Sequence, residues 1–123
     1  MAVTIKTLDH IQLAAPKGSE EKAKAFFSDV LGFYEIDKPE ELKKRGGVWF
    51  KLGSIQVHIG IEDPFIPAKK AHPAFEVECI DELKAHLTEQ TIAWKDDHKL
   101  PGAKRIYVQD PFGNRLEFLQ WIK

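Results

Sequence analysis

The chain has 123 residues, 19 of them acidic and 18 basic, with a formal net charge of −1 and 43% hydrophobic residues. That length supports one hydrophobic core and not two independent ones. Near-neutral charge, with no basic run longer than Lys43-Lys44-Arg45, excludes the electrostatic footprint of a nucleic-acid binder. The lone cysteine, Cys79, excludes an internal disulfide and suits a reducing compartment, and its acidic neighbours Glu78 and Asp81 work against a reactive thiolate. The opening residues lack a basic-then-apolar leader, and no run of about 18 apolar residues occurs, so the sequence predicts a cytoplasmic protein without a membrane partner.

Residues 4–14 alternate apolar with polar and predict a first strand. Ser19 is placed to cap a helix that begins with Glu20 and Glu21, buries Ala23, Phe26, Phe27, Val30 and Leu31, and stops at Gly32. Three short strands follow at 33–36, 47–52 and 55–61, the last two joined by a tight turn at Gly53-Ser54. Residues 62–70 contain two prolines, break both periodicities, and read as a linker. A second strand–helix–strand–strand–strand series then occupies 71–123. Its strand lies at 72–78, its helix at 80–90 with Asp81 as a candidate N-cap, and its short strands near 91–94, 105–109 and 116–122. The order repeats, so the domain divides into module one (4–61), a linker (62–70) and module two (71–123).

The repeat places His10 and His72 in equivalent positions and makes Gln56 the counterpart of Glu117. Strand alternation puts Gln56 with His58, His10 with Gln12, and Glu117 with Arg115 and Leu119, opposite the apolar residues that meet the helices. One face of each sheet is thus expected to pack on helices and the other to line a wet or ligand-filled space. The turn Asp110-Pro111-Phe112-Gly113-Asn114 sets the register that aims Glu117. His86 on the outer helix face and His98 in a loop read as solvated, and Trp49, Trp94 and Trp121 as core or dimer contacts.

Four segments carry a family resemblance: Leu8-Asp9-His10-Ile11; Phe26-Phe27-Ser28-Asp29-Val30-Leu31-Gly32-Phe33; Ala71-His72-Pro73-Ala74-Phe75-Glu76-Val77; and Asp110-Pro111-Phe112-Gly113-Asn114-Arg115-Leu116-Glu117-Phe118. With these the chain resembles the vicinal oxygen chelate superfamily of glyoxalases, bleomycin-resistance proteins and extradiol dioxygenases. The resemblance implies an α+β fold of two tandem βαβββ modules, with curled mixed sheets around a cavity, usually in a homodimer. It also implies metal ligands at His10, His72 and Glu117, with the fourth position falling on Gln56. Glyoxalase I commonly has a glutamate base at that fourth position, whereas an amide cannot accept a proton in that way. The set therefore looks more like methylmalonyl-CoA epimerase. Gln12, where a threonine is usual, and the chain's end six residues after Glu117 both depart from fosfomycin transferases.

Two imidazoles, a carboxylate and an amide suit a divalent Fe, Mn, Co, Ni or Zn ion. The expectation is a metal-dependent enzyme of isomerase, lyase or dioxygenase type. It acts on a small oxygen-chelating substrate by Lewis-acid stabilisation of an enolate or oxyanion, with Glu117 and His58 in the chemistry. His58 is a candidate proton shuttle or a replacement for Gln56 as ligand. The alternative is a metal-free, bleomycin-resistance-like protein that binds a small molecule or drug.

Overall fold

A computed structural model of the chain describes residues 3–122. Strand β1 (Ile11–Ala15) leads into α1 (Glu20–Ala23), which continues as a π-helical stretch over Lys24–Val30. Strand β2 (Tyr34–Ile36), the short α2 (Glu40–Lys43), β3 (Val48–Leu52) and β4 (Ile55–Ile61) complete the first half. The second half comprises β5 (Ala74–Glu76), α3 (Ile80–Glu89), β6 (Lys95–Asp97), β7 (Ala103–Gln109) and β8 (Arg115–Trp121). Two four-stranded sheets result, in the orders β1-β4-β3-β2 and β5-β8-β7-β6. Only the first strand of each sheet pairs in parallel, with the last strand of its half, because the helix carries the chain across; the hairpin-linked strands are antiparallel. This is the tandem βαβββ architecture expected from the sequence.

The strand periodicity acts as anticipated. Val57, Ile59, Leu116 and Phe118 point to the helices and are at most 5% exposed, and with Phe27, Phe50, Ile80, Leu87 and Ile106 they form one core shared by both halves. In α1 the wider π turn lets the adjacent Phe26 and Phe27 both face that core. Gly47 is required where it stands. Its φ is +87°, and a Cβ there would lie 2.1 Å from the Ile59 carbonyl oxygen, so only a residue without a side chain lets β3 start against β4.

Several local expectations are corrected. The predicted first strand begins only at Ile11, where pairing with Val57 starts; residues 3–10 have no regular structure, and Val3, Ile5 and Leu8 are exposed. The strand expected at 91–94 lies at Lys95–Asp97, because Ile92 N–H donates to the Leu87 carbonyl and Thr91 takes φ 61°, closing the end of α3. The cap of α3 is Cys79 rather than Asp81, and the Gln120 side-chain oxygen accepts the Ile80 N–H at 2.9 Å. Ser19 occupies the cap of α1 without a side-chain hydrogen bond. His86 is half-buried and bonds to the Val30 carbonyl at 2.7 Å, tying α3 to the first helix instead of facing solvent. Among the described residues no helix is long and apolar enough to cross a membrane.

The halves are joined at Asn114, which is 1% exposed. Its Nδ2 donates to the Ala14 carbonyl of β1 (2.8 Å) and to Asp110 Oδ2 (2.8 Å), and its Oδ1 accepts the Ala68 N–H of the linker (2.9 Å). Replacing this side chain orphans buried groups in three segments at once. Asn114→Ala is expected to cost about 2–4 kcal/mol, measured by urea unfolding with an unchanged m-value.

Candidate functional site

On the open face of the second sheet, Glu117 is 6% exposed and projects from the middle of β8. Its Oε1 lies 2.9 Å from His72 Nε2. Arg105, from the facing strand β7, approaches Oε2 at 3.4 Å and is itself held by Asp97 at 3.1 and 3.3 Å. His72 sits two residues before β5, and its Nδ1 lies 2.9 Å from the Lys70 carbonyl oxygen. That carbonyl can only accept, so Nδ1 carries a hydrogen and Nε2 is aimed at the carboxylate. An imidazole lone pair facing a carboxylate at 2.9 Å needs a cation, either a proton or a metal ion. Two cis ligand atoms about 2.1 Å from a divalent ion stand roughly 3 Å apart, which matches this spacing.

On the open face of the first sheet, three rings are stacked. His58 lies between Trp49 (centroids 3.9 Å apart, planes at 7°) and His10 (4.0 Å, 15°). The His58 Nε2 is 3.1 Å from Gln56 Oε1, and an amide oxygen only accepts, so the neutral ring donates there and keeps its lone pair on Nδ1. Burial in this stack, followed by the nearby charge of His10, pulls the His58 pKa below its ordinary value. His10 immediately precedes β1, and its Nδ1 meets Asp9 Oδ1 at 2.9 Å. Both lead histidines thus have Nδ1 anchored by an oxygen acceptor, with Nε2 of His72 turned onto Glu117 and Nε2 of His10 unengaged, and an anchored Nδ1 is what orients imidazole ligands in metal sites.

The ladders correct the equivalence read from the sequence. Gln12 pairs with His58 and His58 with Trp49; in the other half Ala74 pairs with Glu117 and Glu117 with Tyr107. His58, not Gln56, is therefore the counterpart of Glu117, and Gln56 corresponds to Arg115. The turns differ in length, since Leu52 and Ile55 flank two residues whereas Gln109 and Arg115 flank five, so distance from the turn glycine is no guide to register: Gln56 and His58 lie three and five residues past Gly53, and Glu117 lies four past Gly113. Alternation still puts both candidates on the correct face.

The predicted site residues form two clusters. His72 and Glu117 come together in one, and His10, His58 and Gln56 in the other, while among the described residues no group of three His, Cys, Asp or Glu side chains is gathered in metal-binding range. Trp49 belongs to the open face and not to the core, Trp94 packs on the core, and Trp121 is exposed. Arg105 and Tyr107 were not singled out from the sequence. Their alternation with buried Ile106 and Val108 is the signal that places them beside Glu117.

The profile of the Glyoxalase/Bleomycin resistance protein/Dioxygenase superfamily matches residues 7–118. A crystal structure of a glyoxalase family protein from Bacillus anthracis is 55% identical, covers 98% of this chain and 99% of its own, and superposes with a TM-score of 0.95. A glyoxalase family protein from Enterococcus faecalis is 30% identical over 93% of this chain and 97% of its own, with a TM-score of 0.74. The fold is also that of the fosfomycin resistance protein FosX from Listeria monocytogenes. A variant of it, complexed with Mn(II) and 1S,2S-dihydroxypropylphosphonic acid, is 21% identical over 96% of this chain and 94% of its own, with a TM-score of 0.79. No curated protein matches the chain.

The ring stack makes a pH prediction. Because the folded state lowers the His58 pKa, the unfolded chain takes up this proton first. The stability tied to neutral His58 is therefore complete above its ordinary value of about 6.5 and is lost as pH falls from there through the folded value. In an NMR titration of metal-stripped protein the His58 ring should show a midpoint below about 6.5. His10→Ala, which uncovers one ring face and removes a charge, should raise it; an unmoved midpoint counts against the stack.

Proposed function

From membership of the Glyoxalase/Bleomycin resistance protein/Dioxygenase superfamily, to which this chain belongs, we propose that it is a metal-dependent enzyme acting on a small oxygen-chelating substrate. The observation that carries this reading is the paired anchoring of His10 and His72 through Nδ1, which turns Nε2 of His72 onto Glu117 Oε1 at 2.9 Å and leaves Nε2 of His10 without a hydrogen-bond partner among the described residues. Their placement beside His58 and Glu117 at equivalent points of the two sheets supports it. The donor set is His10, His72 and Glu117, three protein ligands with positions left open for substrate, as catalytic sites for Fe, Mn, Co, Ni or Zn require. A divalent ion held by these residues would supply Lewis acidity to the vicinal oxygens of an isomerase, lyase or dioxygenase substrate.

The remaining side chains have distinct tasks. Gln56 holds the Nε2–H of His58 and is released from the ligand set by that bond. Trp49 and His10 cover the two ring faces, so His58 meets substrate through Nδ1, where a neutral imidazole of lowered pKa accepts a proton. Arg105 engages Oε2 of Glu117, so Oε1, beside His72 Nε2, is the oxygen that would serve as ligand. Because the two clusters lie on separate sheets, the complete site takes His10 and His58 from one chain and His72 and Glu117 from a second, in a homodimer with two such sites.

Metal content and chain mixing test this together. The protein purified without added metal should carry about one ion per chain. His10→Ala and Glu117→Ala homodimers should carry almost none. Refolding these two variants as an equal mixture should restore about a quarter of the wild-type metal, since half the dimers are mixed and one of their two sites is intact. No metal in the wild type sinks the enzyme reading in favour of a metal-free binding protein, and no restoration on mixing sinks the shared site. His58→Ala should keep its metal and lose turnover of methylglyoxal hemithioacetal, catechols or acyl-CoA epimers, whichever the wild type turns over. Loss of metal in that variant makes His58 a ligand.

A further inference from the structure

Beside the His72–Glu117 pair runs a groove of about 910 Å³, bounded by the linker, β6 and the ends of β7 and β8. Three carboxylates line it and each is already engaged. Asp96 pairs with Lys84 at 2.7 Å, Asp97 pairs with Arg105 at 3.1 Å, and Asp110 accepts the backbone N–H groups of Phe112 and Asn114 within its own turn. Four cations line the same groove, Lys69, Lys70, Lys95 and Arg115, and among the described residues none of them forms an ion pair. A chain whose formal net charge is −1 thus concentrates unbalanced positive charge in one concavity.

Arg115 is the placed member of this set. Its guanidinium carbon stands 4.9 Å from the centre of the Tyr107 ring, and Tyr107 meets the His72 ring edge-on at 5.6 Å. Stacking holds the planar fork in one orientation while its N–H donors stay unspent, which lowers the entropy lost when an oxyanion is gripped. Arg105 lies over the same ring at 5.4 Å, but its charge is already shared between Asp97 and Glu117. The register equivalence sharpens the point: the position that is neutral Gln56 in the first sheet is Arg115 in the second.

We propose that this groove is a binding subsite for an oxyanion, so that the substrate is an acid whose carboxylate or phosphoryl group is held by Arg115, with Lys69, Lys70 and Lys95 supplying the surrounding positive field. The inference rests on the metal-centre reading only in taking the open face as the place where substrate sits; the anion subsite itself needs no ion. Tyr107 links the two, since one of its contacts is the anion-binding guanidinium and another is the candidate ligand His72.

The test uses full-length, metal-stripped protein at low salt, titrated calorimetrically with inorganic phosphate and, separately, with succinate. At least one anion should bind, and its affinity should fall as salt is added. Tighter phosphate assigns the phosphoryl class and tighter succinate the carboxylate class. Arg115→Ala should weaken the bound anion about tenfold or more, as expected for loss of a charge-assisted contact. Lys69→Ala/Lys70→Ala, a linker variant outside the sheets, should weaken it by a smaller factor and keeps the test open if the Arg115 variant fails to fold. Binding of neither anion, or binding unchanged by both variants, overturns the inference. Arg115-dependent anion binding in a protein that never takes up metal leaves the subsite standing and removes only the metal-centre reading.

Discussion

Everything on the open faces depends on one buried amide. Asn114 ends the five-residue turn that starts β8, and its side chain is shared among that turn, the end of β1 and the linker. Asp110 draws the turn tight from the other end by accepting the Phe112 and Asn114 N–H groups at 2.9 Å, and burial pushes its carboxyl above the usual range while those donors pull it back. Gly113 supplies the positive φ of 94° that lets the chain reverse there. The turn therefore fixes where β8 begins, and because strand side chains alternate, where it begins decides whether Glu117 faces His72 or the core. The same amide anchors the first sheet to the second, so the register of one half and the docking of the other are a single constraint.

Given that constraint, the site residues need little further positioning. Each lead histidine lies just before a short edge strand, where a main-chain or side-chain oxygen is near enough to take its Nδ1–H. Each inner strand then brings a partner from the facing hairpin strand: Trp49 beneath His58, Tyr107 and Arg105 around Glu117. His58, Gln56, Glu117 and their partners are thus held on strands locked by ladders, while His10 and His72 sit at the strand entrances and take their orientation from the Nδ1 contacts.

Alternation and the repeat made the architecture and the polar faces legible from the sequence, since both follow from the period-two pattern of β4 and β8 and from the helix-spaced Ala23, Phe26, Phe27, Ile80 and Leu87. Register was less legible. The Gly53-Ser54 and Gly113-Asn114 turns look alike as residue pairs but differ in length, and only the hydrogen-bonded ladders show that His58 stands opposite Trp49 as Glu117 stands opposite Tyr107. His86 and Asp81 were misread for a related reason. Their roles are decided by Val30 and Gln120, groups 56 and 39 residues away that no local window contains. Strand ends moved where pairing begins or a helix end intrudes, as at Ile11 and Lys95.

The two halves keep one geometry but divide its chemistry. In the first sheet, the equivalent positions hold His58, Trp49 and Gln56: two stacked rings and an amide, with burial keeping His58 neutral. In the second they hold Glu117, Tyr107 and Arg115: an anion, a phenol and a cation, with Arg105 added to balance the carboxylate. A neutral buried imidazole and a cluster of cations impose opposite demands on dielectric, because a low pKa for histidine needs dryness whereas exposed lysines need water. Placing them on separate sheets lets each half satisfy one demand. The duplication thus lets a dry imidazole stack and a cationic groove occur in one small domain, each on its own sheet.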